Sequence, residues 1–342
     1  MSETVQKPNE PNLTRKDFMP SNEVRWCPGC GDYSVLANVQ KTLPVLGVPR
    51  ENYTFVSGIG CSSRFPYYMD TYGFHSIHGR APAIASGVKL ANPDLAVWVI
   101  TGDGDGFSIG GNHMIHVLRR NIDLNIMLFN NRIYGLTKGQ YSPTSMLGAQ
   151  TKSSPHGSVD RPFNPSAVAQ GANATFIARA LDVDAKGLQQ SIKRAQKHKG
   201  ASFIEVYQNC LIFNDGEFED LENRASRPDF ALFVVHGEPM IFGKDMDKGI
   251  IMKDNHPKVV SLGGDWSEDD LLRHDETNPI ITNLLLEMTF DTRNPTPFGI
   301  LRAVEEPTYD ELLYSQIDGV IEAEGEGTLE ELFNSGDVWE VE

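Results

Sequence analysis

The stretch LAVWVITGDGDGFSIGGNHMIHVLRRNIDLNIMLFNN, residues 95–131, decides the fold class of this chain. It contains two apolar runs, at 95–102 and 124–131, on either side of a segment with helical periodicity at 107–120. Apolar runs with few polar interruptions are typical of parallel strands that are covered on both faces. The stretch therefore predicts a strand–helix–strand unit within a parallel sheet.

The same alternation continues on both sides of this unit. Further apolar strand runs lie at 53–58, 175–180 and 201–208, and helical patterns lie at 33–43, 80–91, 165–171 and 185–198. We therefore predict an α/β fold with a doubly wound, mostly parallel sheet. The loop-rich segment 132–164 is longer than an ordinary connection, which indicates a functional role.

The chain divides into three parts. Residues 1–24 are polar and contain several prolines, so we expect an N-terminal arm that is disordered or wraps a partner. Residues 25–215 form the predicted α/β domain. Residues 216–342 lack clear alternation and become strongly acidic near their end, so we expect a C-terminal extension that packs on the domain or on a partner.

Charge and hydropathy argue against two classes of partner. The chain carries 30 Lys and Arg against 46 Asp and Glu, a formal net charge of −16, whereas nucleic-acid binders are usually basic. No apolar run approaches the roughly 20 residues that span a membrane, and the polar N-terminus does not resemble a secretion signal. We expect a soluble, cytoplasmic protein with neither nucleic acid nor membrane as a partner.

Polar residues follow two of the predicted strands at the point where each strand ends. The sequence GDGD at 102–105 ends one strand, and NN at 130–131 ends the next. Glycines at a strand end let the backbone approach a diphosphate, and Asp103 and Asn131 offer the oxygen ligands that Mg²⁺ prefers. An ordinary turn and loop end are the alternative. The occurrence of both motifs at strand ends favours a diphosphate–magnesium site.

The four cysteines form a second group. Cys27 and Cys30 precede the first helix in a C-P-G-C motif, whereas Cys61 and Cys210 each follow a strand. We expect these segments to converge on the edge of the sheet that carries the diphosphate site. Four thiolates suit a 4Fe–4S cluster or a structural zinc, and the C-P-G-C pair alone suits thiol redox chemistry. The remaining alternative is that Cys61 and Cys210 are small buried hydrophobic residues and that only the C-P-G-C pair has a function.

These motifs resemble those of a known family. The GDG motif followed at this interval by NN is similar to that of thiamine-diphosphate enzymes. More specifically, the chain resembles the β subunits of 2-oxoacid:ferredoxin oxidoreductases, most closely the 2-oxoglutarate branch. The resemblance spans about 25–215, continues weakly at 295–313, and is carried by CPGCG (27–31), GIGCSSR (58–64), HGRAPAIASGVKLA (78–91), GDGD (102–105), NNRIYGLTKGQYSPTS (130–145) and Cys210.

The resemblance implies a diphosphate-type, thiamine-diphosphate-binding module with three cofactors. Magnesium would be held by Asp103, Asn131 and the main chain of Ile133. The 4Fe–4S cluster would be held by Cys27, Cys30, Cys61 and Cys210. Thiamine diphosphate would be lined by Ile59, Gly60, Cys61, Ser62, His78, Gly79, Arg80, Gly102, Gly104, Asp105, Tyr134, Gly135 and Leu136. Oxidation of a 2-oxoacid beside thiamine needs an electron acceptor, and zinc does not change its oxidation state, which favours the cluster.

Three further residues are candidates for contact with reactants. Arg64 and Lys138 match family positions that are linked to recognition of 2-oxoacids. Arg64 could bind a carboxylate bidentately, and Lys138 offers a point charge. His78 could act as an acid or base, although contact with a phosphate is the interpretation that we favour. For Arg64 and Lys138 the alternative is an ordinary solvated side chain.

We expect the reversible, CoA-dependent oxidative decarboxylation of 2-oxoglutarate to succinyl-CoA and CO₂, with electrons passing to ferredoxin. Pyruvate is the alternative substrate, and a non-redox thiamine decarboxylase with structural zinc is the alternative enzyme. A zinc-stabilised interaction module without catalysis is a third alternative. Because the sequence contains one diphosphate module, we expect a different polypeptide to supply the second thiamine-binding module. The resemblance implies that this polypeptide is an α subunit and that the enzyme is a dimer of αβ heterodimers. A self-sufficient homodimer that builds the second pocket from residues 211–342 is the alternative. The basic stretch 193–200 could meet an acidic ferredoxin, although a solvated helix end is favoured.

Overall fold

The computed structural model describes residues 13–339 and residue 341, so half of the predicted arm, residues 1–12, lies outside the described residues. Within the described part, the strands are β1 Tyr53–Ser57, β2 Tyr72–His75, β3 Ala96–Gly102, β4 Asn125–Asn130, β5 Ile133–Tyr134, β6 Gln140–Tyr141, β7 Phe176–Leu181, β8 Ser202–Tyr207, β9 Ala231–Val234, β10 Ile241–Phe242, β11 Lys248–Lys253, β12 His256–Ser261 and β13 Thr296–Ala303.

The helices cover both faces of the main sheet and part of the extension. In the same described residues they are α1 Asp32–Thr42, α2 Ala81–Ala91, α3 Asp103–Phe107, α4 Gly111–Arg119, α5 Pro165–Gly171, α6 Ala185–Lys197, α7 Glu219–Glu222, α8 Arg227–Phe230, α9 Pro279–Glu287, α10 Tyr309–Glu324 and α11 Leu329–Phe333. None of these helices is both long and apolar enough to cross a lipid bilayer.

The main sheet of the described chain has eight strands in the order β2-β1-β3-β4-β8-β7-β13-β9. The six strands from β2 to β7 in this order are parallel to one another. Only the pairing of β13 with β7 is antiparallel. The prediction of a doubly wound, mostly parallel α/β sheet is confirmed.

Strand β3 shows why its sequence is apolar throughout. Val97 and Val99 belong to the core on one face of the sheet, where they join residues of α4 and α9. Trp98 and Ile100 belong to the core on the other face, where they join residues of α1 and α6. Because successive side chains of a strand point to opposite faces, helices on both faces require an apolar residue at every position.

The predicted elements of the α/β domain are confirmed. The helix predicted near 107–120 is α4, and a separate short helix that was not predicted, α3, precedes it in the GDGD segment. Ser108 leaves the helical conformation with ψ of −105°, and the flexible pair Gly110-Gly111 follows. A side chain at Gly110 would begin 2.5 Å from the carbonyl oxygen of Asp105, so this close turn requires glycine.

The extension contributes to the main sheet, which its sequence pattern did not indicate. Strand β13 pairs with β7, and β9 pairs with β13. The extension also contains a three-stranded antiparallel sheet, β10-β11-β12, within the described residues. The short edge strand β2 was likewise not predicted, because its four residues are all exposed and lack an apolar run. The extension therefore packs on the α/β domain itself.

Candidate functional site

A cavity of about 90 Å³ lies at the carboxyl ends of β3 and β4. Several residues predicted to hold the cofactor or its metal line it, namely Ile59, Gly60, Cys61, Ser62, His78, Gly102, Asp103, Gly104, Asp105, Asn131, Ile133, Tyr134, Gly135 and Leu136. Asp32, Phe129 and Thr137 also line it and were not predicted. Parallel strands bring the GDGD and NN motifs together because their carboxyl ends meet at one edge of the sheet.

Asp103 begins α3 and is almost completely buried. One carboxylate oxygen, Oδ2, accepts hydrogen bonds from Ser142 Oγ at 2.5 Å and from Thr144 Oγ1 at 2.6 Å. Burial raises the pKa of Asp103 to about 6, although these two hydroxyl donors oppose the shift. A buried carboxylate is stabilised by a nearby cation, so this residue fits a magnesium ligand.

Asn131 and Ile133 form a tight turn directly after β4. The side-chain Oδ1 of Asn131 accepts a hydrogen bond from the main-chain N of Ile133 at 3.1 Å. The main-chain oxygen of Asn131 accepts one from Asn214 Nδ2 at 3.0 Å. The predicted magnesium ligands are therefore all oxygen atoms and include one carboxylate, a donor set that suits a hard cation.

Asp105 joins three segments around the cavity. Its Oδ1 lies 2.6 Å from His78 Nδ1 and accepts hydrogen bonds from the main-chain N of Gly79 at 2.8 Å and of Ile59 at 3.1 Å. Its Oδ2 accepts a hydrogen bond from Thr101 Oγ1 at 2.7 Å. The carboxylate is thus occupied by protein groups, and its contact with Nδ1 orients the His78 ring and leaves Nε2 for another partner.

Gly104 and Tyr134 form one wall of the cavity. The Tyr134 hydroxyl donates a hydrogen bond to the main-chain oxygen of Gly104 at 3.0 Å. A side chain at Gly104 would begin only 2.2 Å from the tyrosine ring. Glycine at this position therefore keeps the backbone of the GDGD turn open beside the cavity, as close approach of a diphosphate requires.

A buried polar network lies beneath Asp103 and was not predicted from the sequence. Thr144 Oγ1 also lies 3.0 Å from Asn130 Oδ1, and Asn130 Nδ2 donates to Glu205 Oε1 at 2.8 Å. Glu205 Oε2 in turn accepts from Ser166 Oγ at 2.6 Å and Arg179 Nε at 2.9 Å. The sequence signal for the pair Arg179 and Glu205 is a charged residue within each of two mostly apolar strands, β7 and β8.

A second cavity, of about 190 Å³, adjoins the first. It is lined by all four cysteines, and the two cavities share Cys61, Asn131, Gly135 and Leu136. Gln208 Nε2 donates a hydrogen bond to Cys30 Sγ at 3.2 Å, and Trp26 Nε1 donates one to the main-chain oxygen of Cys61 at 2.7 Å. In the described chain the four thiols are free rather than paired in disulfides.

Burial affects the protonation of three of these thiols, those of Cys30, Cys61 and Cys210. Burial, together with the nearby carboxylate of Asp32, raises the pKa of Cys30 and raises that of Cys61 to about 12. Burial raises the pKa of Cys210 as well. These three thiols are therefore neutral near pH 7 unless a cation compensates the thiolate charge, and metal binding to thiols releases their protons. Together with Cys27, which lines the same cavity, they make a set of four thiols that fits an iron–sulfur cluster.

Across residues 13–339 and 341, no three or more His, Cys, Asp or Glu side chains are arranged so that they could together hold a metal ion. The predicted magnesium set contains only one side chain of these types, Asp103, because an amide and a main-chain carbonyl complete it. The assignment of the four cysteines to one site is supported by the second cavity, which all four residues line.

Three other predicted residues, Arg64, Arg80 and Lys138, do not line the first cavity. Arg64 lines the cysteine cavity, where Nη1 donates to the main-chain oxygen of Arg25 at 2.9 Å. Arg80 Nη1 donates to the main-chain oxygen of Ile109 at 3.3 Å. Lys138 is exposed at the β5–β6 turn, with φ of 76°, and lines neither cavity.

The basic stretch 193–200 lies at the opposite edge of the sheet from the cysteines. Its residues His198 and Lys199 line a groove with Ala96 and Asn125, the first residues of β3 and β4. A strand of six or seven residues is about 20 Å long. The stretch is therefore separated from the cysteines by about the length of a strand, and its interpretation as a solvated helix end stays a prediction.

Comparison with known proteins gives a consistent result. Residues 58–206 match the family model described as the C-terminal TPP-binding domain of thiamine pyrophosphate enzymes. The chain is 50% identical over 331 residues to the 2-oxoglutarate oxidoreductase subunit KorB of Mycobacterium tuberculosis. This alignment covers 96% of this chain and 88% of that protein. It is 46% identical over 192 residues to the 2-oxoacid:ferredoxin oxidoreductase subunit beta of Saccharolobus solfataricus, which covers 56% of this chain and 63% of that protein.

A solved structure is similar over nearly the whole chain. It is the 2-oxoglutarate:ferredoxin oxidoreductase from Magnetococcus marinus, with a TM-score of 0.76 and 30% sequence identity. The match covers 96% of this chain and 98% of that one. That structure has 2-oxoglutarate, coenzyme A and succinyl-CoA bound.

Proposed function

The chain belongs to the family of 2-oxoacid:ferredoxin oxidoreductase β subunits, and from this premise we propose that it catalyses, with an α subunit, the reversible oxidative decarboxylation of 2-oxoglutarate. The carboxylate carbon of the substrate leaves as CO₂, the CoA thiol takes its place to form succinyl-CoA, and two electrons reduce ferredoxin. The observation that carries this proposal is the contact between the two cavities, because Cys61, Asn131, Gly135 and Leu136 line both.

The first cavity would hold the diphosphate of thiamine diphosphate and its magnesium. Asp103, Asn131 and the main chain of Ile133 would bind the metal, and His78, oriented by Asp105, would contact a phosphate. Its lining contains the GDGD turn and the predicted magnesium ligands, which fit the diphosphate end of the cofactor. The remainder of the cofactor would then extend toward the partner subunit.

The second cavity would hold a 4Fe–4S cluster on Cys27, Cys30, Cys61 and Cys210. Bound thiamine diphosphate would supply the chemistry of carbon–carbon cleavage, and the cluster would supply a route for electrons. This chain would keep the two groups adjacent and would shield the site from water. A redox-inactive zinc at the same cysteines is the alternative that metal analysis distinguishes.

We propose 2-oxoglutarate rather than pyruvate as the substrate. The support is the name of the relative from Mycobacterium tuberculosis and the 2-oxoglutarate bound in the Magnetococcus marinus enzyme. The second carboxylate of 2-oxoglutarate needs a cationic partner, and Arg64 and Lys138 are the candidates. Arg64 is the stronger candidate because it lies at the cysteine cavity, whereas Lys138 lines neither cavity.

We propose an α subunit as the source of the second thiamine-binding module and of the catalytic glutamate. The extension does not repeat the first module, because its strands β9 and β13 complete the same sheet. The relatives that carry the designation subunit beta support a two-subunit enzyme. An assembly of two αβ pairs, ferredoxin as the acceptor, and a cytoplasmic location complete the proposal.

The decisive experiment is a panel of 2-oxoacids, assayed anaerobically with CoA and a viologen dye on the purified αβ complex. We expect dye reduction with 2-oxoglutarate, slower reduction with pyruvate, and none without CoA. The matched control is this chain alone, reconstituted with its cofactors. Full activity of the chain alone would refute the need for an α subunit, and a 2-oxoacid-dependent product without electron transfer would refute the redox assignment.

A further inference from the structure

Arg132 stands between the two residues assigned to magnesium, and its backbone is in the left-handed region with φ of 55°. A residue with a side chain adopts this conformation at a cost that glycine does not have. Both polar groups of its backbone are held: the N donates to Asn130 Oδ1 at 3.2 Å, and the O accepts from Ser145 Oγ at 2.5 Å. The left-handed residue is thus built into the turn that presents Asn131 and Ile133.

The side chain of Arg132 is directed away from the cofactor cavity into a cage of its own. Nη1 pairs with Glu217 Oε1 at 2.8 Å, and the side chain is only 12% exposed. The guanidinium carbon lies 4.8 Å from the ring centre of Phe218, 5.6 Å from that of Tyr207 and 5.7 Å from that of Phe290. A guanidinium held by a carboxylate and three aromatic rings has a fixed position.

This cage connects the turn at 131–133, which carries the proposed magnesium ligands, to segments that follow it in the chain. Tyr207 ends β8, Glu217 and Phe218 follow Cys210, and Phe290 belongs to the extension. Phe218 is itself buried and stacks on Tyr207, with ring centres 4.5 Å apart. The cage is therefore part of the packed structure, and it can hold the backbone of Arg132 in a conformation that the turn alone would not favour.

We propose that Arg132 is a positioning residue for the magnesium–diphosphate site. The caged side chain stabilises the left-handed backbone at position 132, and this backbone directs the Asn131 amide and the Ile133 main chain toward the metal. The guanidinium does not bind the diphosphate itself, because it is occupied by Glu217 and the rings. The inference rests on the proposed function, since it assumes that the first cavity binds magnesium and a diphosphate.

The test compares Arg132→Ala with Arg132→Gly in the αβ complex after its cofactors have been removed. Both variants lose the caged side chain, but only glycine adopts the left-handed conformation freely. Titration calorimetry would measure the binding of thiamine diphosphate at a fixed Mg²⁺ concentration. We expect the alanine variant to bind roughly five- to thirtyfold more weakly than the wild type, which corresponds to the cost of a left-handed non-glycine residue. We expect the glycine variant to stay close to the wild type.

A purely structural role would not produce this order. If Arg132 only stabilised the packing of these segments, both variants would lose thermal stability, and their affinities for thiamine diphosphate would be equal. Equal affinities of the two variants, whether reduced or unchanged, would overturn the proposal. If the alanine variant does not assemble, Glu217→Gln keeps Arg132 and removes the ion pair, and unchanged binding in that variant would also overturn it. A wild-type complex that binds no thiamine diphosphate would instead reject the proposed function.

Discussion

Arg179 and Glu205 form an ion pair between neighbouring strands, with Nε and Oε2 2.9 Å apart and both side chains fully excluded from solvent. The pair is linked to the first cavity through Asn130, which donates to Glu205. Asn130 Oδ1 lies 3.0 Å from the hydroxyl of Thr144, which donates to Asp103. On its other side, Arg179 Nη1 donates to Thr289 Oγ1 at 3.0 Å and to the main-chain oxygen of Pro297 at 3.3 Å. One buried pair therefore connects the site to the extension.

Glu205→Gln should lower the free energy of unfolding by about 3–5 kcal/mol, because Arg179 would remain buried without a compensating charge. Denaturant unfolding of the purified complex would measure it. Ser166→Ala removes one hydrogen bond to the same carboxylate but keeps the ion pair, so it is the control and should lose less, about 1.5–3 kcal/mol. Similar small losses in both variants would show that the charge of Glu205 is unimportant.

Asp103→Asn should weaken the binding of thiamine diphosphate with Mg²⁺ by at least about a hundredfold. The change preserves the shape of the side chain but removes the only anionic ligand that the protein supplies to the proposed magnesium site. Loss of residues that merely support a metal ligand already costs 10- to 100-fold in affinity. Calorimetry measures the affinity, and Asp94→Asn, at an exposed carboxylate, is the control. Unchanged binding in Asp103→Asn would exclude this residue as a ligand.

Cys61→Ser and Cys210→Ser should each remove most of the iron from anaerobically purified protein, since each takes away one of four thiolate ligands. Elemental analysis and the visible absorbance of the cluster would measure the loss. Ser62→Ala, beside Cys61 in the chain, should retain the iron. Zinc without iron in the wild-type complex would contradict the redox assignment and favour a structural metal.

Arg64→Met should raise KM for 2-oxoglutarate about ten- to a hundredfold and raise KM for pyruvate much less. One charged hydrogen bond to the second carboxylate contributes roughly 1.5–3 kcal/mol. Arg25→Met is the control, because Arg25 lines the same cavity and is more exposed. An equal effect on both acids would mean that Arg64 binds their shared carboxylate or maintains the structure.

Glu222→Gln should stabilise the protein at pH 8 and have little effect at pH 5. Burial, followed by the charges of Asp182 and Asp215, raises the pKa of Glu222 to about 7. An acid whose pKa is raised by folding destabilises the folded state as pH increases from its unfolded value, about 4.5, through its folded value. Thermal unfolding at the two pH values would measure the difference.

The control for this pH dependence is Glu219→Gln, which changes an exposed carboxylate on the same short helix. It should give the same change at both pH values. Stabilisation of Glu222→Gln that is as large at pH 5 as at pH 8 would show that the ionisation of Glu222 is not its cause.

The sequence by itself determined the α/β class, the strands β1, β3, β4, β7 and β8, and the family. It could do so because a doubly covered parallel strand needs an apolar residue at nearly every position, a pattern that is local. The GDGD and NN motifs were equally predictable in place, since carboxyl ends of parallel strands meet at one edge. The position of the first cavity follows from these two local signals.

Only the tertiary structure decided which distant segments complete the sheet and support the site. Strand β13 pairs with β7, more than a hundred residues away in the chain, and nothing in its own sequence specifies that neighbour. Ser142, Thr144 and Glu205 reach Asp103 through contacts across three segments. Hydrogen bonds and ion pairs of this kind depend on side-chain positions in space, whereas the periodicity of a sequence records only which face of each element is buried.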